Sequence, residues 1–298
     1  MSSSADPPRY RRPLVSREAV TAVLLTLPAL VLLVVFKAVP LLQGLANSFM
    51  RKGEFVGLAN WSRMLTDEIW LGAVANSVKG VLLLPVFILV PLAIAFALFT
   101  AIRGWRAHRA IYLMSYLLPP AMSGLIFALI LGYEGPINTA LRSVGLDSFA
   151  ISWFSTTETS MWAVYALVFW AWFGLGTVIY LAALAAIPED QFEAARLDGA
   201  SGMQALRHIT IPWVRPTIGY WGVLTTAGLF LWLFPFITTA TRGGPGYSST
   251  TPEFRIYGVF TQGRNPEYAS ALGITLFLIV LLVSAFQVRW MYSRASGQ

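Results

Sequence analysis

Six separate stretches of this sequence stay apolar for about twenty residues or more, the length a helix needs to cross the hydrocarbon core of a bilayer. They run from about Ala19 to Pro40, Ala75 to Ile102, Ile111 to Tyr133, Met161 to Ile187, Thr217 to Thr241 and Ala269 to Met291. In lipid every backbone polar group must be paired within the chain, so each stretch reads as a helix. The fold class is therefore an all-α polytopic membrane protein with six transmembrane helices. Charge agrees: 12% of the 298 residues are charged, against about 25% in a soluble domain. Disorder is excluded by the same numbers, because it needs low hydrophobicity and high charge.

Lysine and arginine orient the spans. With the N-terminus in the cytoplasm, twelve arginines fall inside and seven basic residues outside, while Lys37 and Lys79 lie at or in spans. Both termini are then cytoplasmic. The net charge of +7 divides as +6 inside and −1 outside, which is a topology signal and not a nucleic-acid footprint. Arg11 and Arg12 precede the first apolar run as in a signal peptide. That run exceeds the usual apolar region and no A-x-A site follows it, so it reads as a retained span. Residues 1–18 form a cytoplasmic tail, and 19–298 a single transmembrane domain.

Several chemistries have no residues to perform them. Cysteine is absent, which removes thiol catalysis and zinc–thiolate sites. His108 and His208 fall in cytoplasmic loops with no metal-binding spacing. There is no phosphate-binding G-x-x-x-x-G-K-[ST] motif and no G-x-S-x-G elbow. Catalytic and metal residues are therefore expected to be none. No span carries a pair of carboxylates, which argues against an ion-coupled secondary transporter or a channel without an ATPase, the alternative reading. Lys37 and Lys79 are close enough to span ends to snorkel. Prolines 28, 85, 91, 119, 120 and 235 interrupt the spans; each is either a packing kink or a kink lining a cavity.

The segment between the fourth and fifth spans, 188–212, has its own design. Pro188 suits a helix first turn, and Glu189 and Asp190 favour its positive end. Gly199 can end that helix in a left-handed conformation, Ser201 can cap a second helix to about His208, and Pro212 separates the loop from the fifth span. An amphipathic connector on the membrane surface would not place acids toward anionic lipid. A DNA-binding helix-turn-helix would not be tethered between two spans.

The pattern Glu193-Ala194-Ala195, then Gly199, then Ile209-x-Ile211-Pro212 resembles the EAA loop of ABC importer permeases. The family usually has leucine where Ile211 stands. Gly135-Pro-Ile-Asn138, Thr241-Arg-Gly-Gly-Pro-Gly246 with Thr250 and Thr251, and Tyr268-Ala-Ser-Ala-Leu272 resemble the subfamily of sugar permeases of the maltose and glycerol-phosphate type. The resemblance runs from about Thr21 to Tyr292. It implies the type I importer permease fold in a bacterial cytoplasmic membrane, forming half of a carbohydrate pathway by alternating access. It also implies a second permease subunit, an ATPase dimer that uses ATP and Mg, and an extracytoplasmic binding protein. This chain itself would need no cofactor.

The same resemblance assigns residues. Glu193, Ala194, Ala195, Asp198, Gly199 and Arg207 would couple to the ATPase. Ser115, Tyr116, Trp170, Trp172, Thr225, Thr226, Phe230 and Trp232 would line the pathway, and Gly243, Gly244 and Pro245 would face the binding protein. Aromatic platforms with hydroxyls suit sugars, but tryptophan and tyrosine also gather at membrane interfaces as anchors. Thr226 and Phe230 are the favoured pair, one turn apart on one face.

Overall fold

The computed structural model describes residues 17–101 and 105–293. The basic tail before Arg17, with Arg103 and Arg294, lies outside them. Among the described residues four helices are long and apolar enough to cross a membrane: Thr21–Ser48, Glu68–Phe99, Ser160–Leu184 and Pro266–Met291. Two further bent pairs bring the number to as many as six.

The first helix runs as α1 (Arg17–Leu33), a wide π-turn over Val34–Ala38 and α2 (Val39–Ser48). It continues eight residues past Pro40, so Lys37 lies mid-helix and not near its end. The π-turn accounts for this. Proline has no N–H, and its ring crowds the carbonyl four residues back. Widening the preceding turn accommodates both, with the Val39 N–H reaching the Val34 carbonyl. A hairpin follows, β1 (Met50–Arg51) and β2 (Glu54–Phe55), turned by Lys52 and Gly53 at φ 53° and 83°. Two successive positive φ values give the turn whose twist matches its strands.

Beyond the short α3 (Ala59–Met64), the second span is α4 (Glu68–Leu82) and α5 (Leu84–Ala101). It starts seven residues before Ala75, because the Asp67 side chain caps it by accepting from the Trp70 N–H at 3.0 Å. The third span is not one straight helix. It is α6 (Trp105–Leu117) and α7 (Pro120–Ile130), bent by 92° where Pro119 and Pro120 remove two consecutive donors. Position 108 therefore lies in helix. After α8 (Pro136–Ser143), the fourth span α9 (Ser160–Leu184) supplies the core, with Val164, Leu167, Val168 and Tyr180 fully buried.

Next come α10 (Glu189–Leu197) and α11 (Gly202–Ala205), then a second π-turn over Leu206–Thr210 that leads into α12 (Ile211–Leu231). Pro212 therefore does not separate the loop from the fifth span; the helix is continuous from Gly202 to Leu231. The reason repeats that at Pro40: a π-turn ending two residues before the proline makes room for it. The span bends by 48° at Trp232–Leu233 into α13 (Phe234–Ala240). The chain closes with α14 (Pro252–Thr261) and α15 (Pro266–Ser293).

Two crossings depend on missing side chains. A Cβ at Gly174 would lie 1.8 Å from the Tyr112 carbonyl oxygen, where α6 crosses α9. One at Gly124 would lie 2.1 Å from the Thr239 hydroxyl, where α7 packs on α13. α9 rises roughly 37 Å at 1.5 Å per residue, so Ser160 and the α10 segment stand at opposite ends of the molecule.

Candidate coupling loop and pathway

At one end, α10 ends where Gly199 turns left-handed at φ +73°. The Ala200 N–H returns to the Ala195 carbonyl at 2.9 Å, satisfying a carbonyl that the helix end leaves open. Ser201 and Gln204 form a reciprocal capping box: the Gln204 N–H donates to Ser201 Oγ at 3.3 Å and the Ser201 N–H to Gln204 Oε1 at 2.7 Å. The result is the helix–turn–helix outline expected from the sequence.

The six residues assigned to coupling are brought together on this segment. Glu193, Ala194, Asp198, Gly199 and Arg207 are exposed and Ala195 is half-buried. Leu197 and Met203 add exposed apolar surface beside them, which sequence reasoning had not singled out. Phe192 is buried and holds α10 to the second span, its ring 5.8 Å from that of Phe99.

The residues assigned to the pathway divide. Thr225, Thr226 and Phe230 are at most 2% exposed. Phe230 packs with Met64, Trp70, Tyr268 and Leu272, and Thr226 Oγ1 donates to the Gly222 carbonyl at 2.8 Å. These three are core residues of this conformation. Ser115 is buried against Tyr112, whose carbonyl accepts from Ser115 Oγ at 3.2 Å. Trp170 packs on Phe127 and Trp172 on Trp232, with ring centres 5.1 and 6.3 Å apart. Tyr116 and Trp232 are 47% and 49% exposed, and each sits at the break in its span. Irregular backbone at membrane depth is tolerated where it lines a cavity or is covered by protein.

The opposite end is a set of clamped loops. Asn138 Nδ2 donates to the carbonyls of Gly132, Tyr133 and Ile151 at 2.9, 3.2 and 2.7 Å. Its Oδ1 accepts from Trp153 Nε1 at 3.1 Å. The motif asparagine is thus a loop staple. In the Gly243–Gly246 loop, Thr250 Oγ1 donates to the Gly243 carbonyl at 3.0 Å. Gly243 is at φ +80°, and a Cβ there would strike Phe254 and Thr250 at 2.7 and 2.8 Å. Gly243 is buried, while Gly244 and Pro245 are half-buried.

The clamp beneath this loop was not legible in the sequence. Asn76 on α4 donates to the Ser248 and Thr250 carbonyls at 2.8 and 3.0 Å. Nor did the sequence pair Arg255 with Asp67, a charge pair 188 positions apart. Asp67 Oδ2 accepts from Arg255 Nη2 at 2.7 Å and from the Tyr268 hydroxyl at 2.8 Å. Partial burial pushes the Asp67 carboxyl up, but these bonds and the Trp70 N–H outweigh it and hold the group below its ordinary value. Beside this pair, Arg63 and Arg255 border a cavity of about 410 Å³ with Tyr247, Tyr257 and Gln262.

Among the described residues no cluster of histidine and acidic groups could hold a metal. Within the candidate spans the acids are Glu68 and Glu267, each in the first turn of its helix. The span interiors therefore offer no carboxylate for ion coupling.

The chain is similar to known proteins over nearly its whole length. The sn-glycerol-3-phosphate transport system permease protein UgpA of Agrobacterium fabrum is 31% identical over 285 residues, covering 91% of this chain and 94% of that one. The diacetylchitobiose uptake system permease protein NgcF of Streptomyces coelicolor is 28% identical, covering 93% and 84%. Among solved structures, a bacterial ABC transporter that imports the acidic polysaccharide alginate shares the fold, with a TM-score of 0.83 at 21% identity over 93% of this chain and 96% of that one. A family model described as the binding-protein-dependent transport system inner membrane component matches residues 18–295. The chain belongs to that family, and it is a permease subunit of an ABC importer, with ATP hydrolysis carried by a separate subunit.

Proposed function

We propose that this chain spans the membrane six times with both termini in the cytoplasm, and forms half of the pathway of a carbohydrate importer with a homologous permease subunit. A binding protein delivers a saccharide, amino sugar or sugar or glycerol phosphate to the clamped loops. An ATPase dimer grips the α10–α11 segment from the cytoplasm. ATP closure pushes that segment, and the continuous helix from Gly202 to Leu231 carries the movement to the break at Trp232.

The observation that carries this reading is the geometry of the coupling segment. Its exposed Glu193 and small Ala194 offer a charge and a close approach to a partner. The buried Phe192 on the same helix ties it to the transmembrane body. A rigid α10 transmits force, whereas a solvated loop would absorb it. For the pathway we assign Tyr116 and Trp232 to direct substrate contact, backed by Trp170 and Trp172. Thr225, Thr226 and Phe230 form the wall behind them in this conformation. Sugars present CH faces to aromatic rings, and half-exposed aromatics at broken helices suit that contact.

The test is replacement of Glu193 by alanine in the assembled complex. Substrate-stimulated ATP hydrolysis and uptake should fall together while the permease level is unchanged. Normal stimulation and uptake in the variant would overturn the assignment.

A further inference from the structure

At the coupling-loop end of α12, a groove opens between α5, α12 and α15. It encloses about 350 Å³ and is walled by Leu84, Ile88, Ile218 and Val223. Arg215, Gly219 and Gly222 follow one another at i, i+4 and i+7 along α12, so they share a stripe, and all three border the groove. Facing them on α15 are Gln287, Trp290 and Met291, themselves one turn apart. Gly222 leaves the groove open: a Cβ there would touch only Ile88, at 3.4 Å.

The charge in this groove is one-sided. Among the described residues Arg215 is its sole charged lining residue, and no salt bridge to Arg215 is present. Gln287 Nε2 donates to Thr226 Oγ1 at 2.8 Å, while its buried Oε1 has no partner. Trp290 is exposed beside the groove mouth. Along the helix axis the features are ordered. The cation and the tryptophan stand nearest the coupling loop, Met291 fills the space beside Gly219, and the open apolar notch lies about two turns deeper, at Gly222.

We propose that this groove is a binding site for an anionic phospholipid of the cytoplasmic leaflet. Its phosphate pairs with Arg215, and one acyl chain passes the Met291 side chain packed on Gly219 and lies along Gly222 toward Leu84. The order of groups matches a lipid entering from that leaflet: charge at the interface, tryptophan at headgroup depth, hydrocarbon further in. A basic pocket between transmembrane helices on the cytoplasmic side is the chemistry that selects anionic headgroups. A phosphate-free apolar partner would leave Arg215 unpaired in a low-dielectric groove. Arg215 lies only a few residues beyond the π-turn at Leu206–Thr210, so an occupied groove would brace the helix that leaves the coupling segment. This goes beyond the import function and depends only on the orientation proposed above.

Brominated lipids test it, because bromine quenches nearby tryptophan. The full-length chain is reconstituted in phosphatidylcholine vesicles doped with brominated phosphatidylglycerol or brominated phosphatidylcholine. The Trp290 contribution is the difference between the natural chain and Trp290→Phe. One basic residue near an anionic surface contributes about 1 kcal/mol, roughly a fivefold preference. Brominated phosphatidylglycerol should quench this component at about fivefold lower mole fraction than brominated phosphatidylcholine. The preference should vanish in Arg215→Gln and persist in Arg215→Lys, with the thermal unfolding of both variants monitored. Equal quenching by the two lipids would overturn the proposal, as would a preference retained in Arg215→Gln. No quenching of Trp290 by either lipid would mean that protein covers the groove, and would overturn it equally.

Discussion

The ring of Phe192 lies 5.8 Å from the ring of Phe99, tilted by 51°, and this contact joins the coupling segment to the second span. Removing a buried phenyl group costs about 3 kcal/mol through lost transfer and the cavity left behind. Phe192→Ala should leave the transmembrane body folded and loosen α10 upon it. The ATPase should still bind, but the number of substrate molecules moved per ATP should drop several-fold. Paired measurement of uptake and hydrolysis in one preparation checks this.

Gly199 tests backbone conformation separately from space. Its φ is +73°, and a Cβ there would meet nothing within 4 Å. Alanine therefore pays only the left-handed backbone cost of about 1–2 kcal/mol, and asparagine less. Uptake should rank glycine above asparagine above alanine above valine. A valine variant with full uptake would show that the turn is not required.

Asn76→Ala should release the Gly243–Gly246 loop, because it leaves the Ser248 and Thr250 carbonyls without their donor. Each unsatisfied buried group costs about 1–3 kcal/mol. Limited proteolysis of the detergent-solubilised complex should cut within 241–251 much faster in the variant, while coupling to the ATPase is retained.

Glu253 gives the loop region a pH response. Burial pushes its carboxyl from 4.5 up to about 8, and the Phe234 and Leu233 N–H groups draw it partly back down. Folded chains therefore hold a proton that unfolded chains release between those values. A raised pKa contributes stability that is fully present below about pH 4.5 and is lost as pH rises through about 8. Thermal unfolding of the purified chain should show this loss between pH 5 and pH 8. Glu253→Gln should flatten it and raise the melting temperature at pH 8. An unchanged pH profile would show that burial does not hold the proton.

Trp232→Ala should impair uptake far more than Phe230→Tyr does. Trp232 is half-exposed at the helix break, whereas Phe230 is sealed within the chain. Binding of the ATPase should be unaffected in both. Uptake kinetics across a range of saccharide concentrations distinguish them, and equal loss in the two would contradict the pathway assignment.

The helical, membrane-crossing character of the chain and the turn after α10 were legible because both rest on local rules. Twenty apolar residues in lipid form a helix whatever surrounds them. Likewise a left-handed glycine followed by a serine three residues before Gln204 marks a turn and a capped helix. Pro212 misled because a π-turn one step upstream relieves it, and neighbouring sequence alone does not reveal that relief. Pro119 and Pro120 did mark a break, but the angle of 92° depends on the seat that Gly124 offers beside Thr239. Thr226 and Phe230 do share a face, as their spacing requires. Which face points inward depends on Gln287 and Tyr268, more than thirty positions away in sequence. Asn76 and Asp67 were invisible for the same reason, since their partners arrive through tertiary packing.

The most direct test of the account is the energy source for transport. The chain is reconstituted with the proposed sister permease, ATPase and binding protein in liposomes with ATP trapped on the ATPase side and no ion gradient. Uptake of labelled saccharide should require the trapped ATP, and Glu193→Lys should abolish it while all subunits remain assembled. Uptake without ATP, driven by an imposed proton or sodium gradient and indifferent to Glu193, would contradict the account.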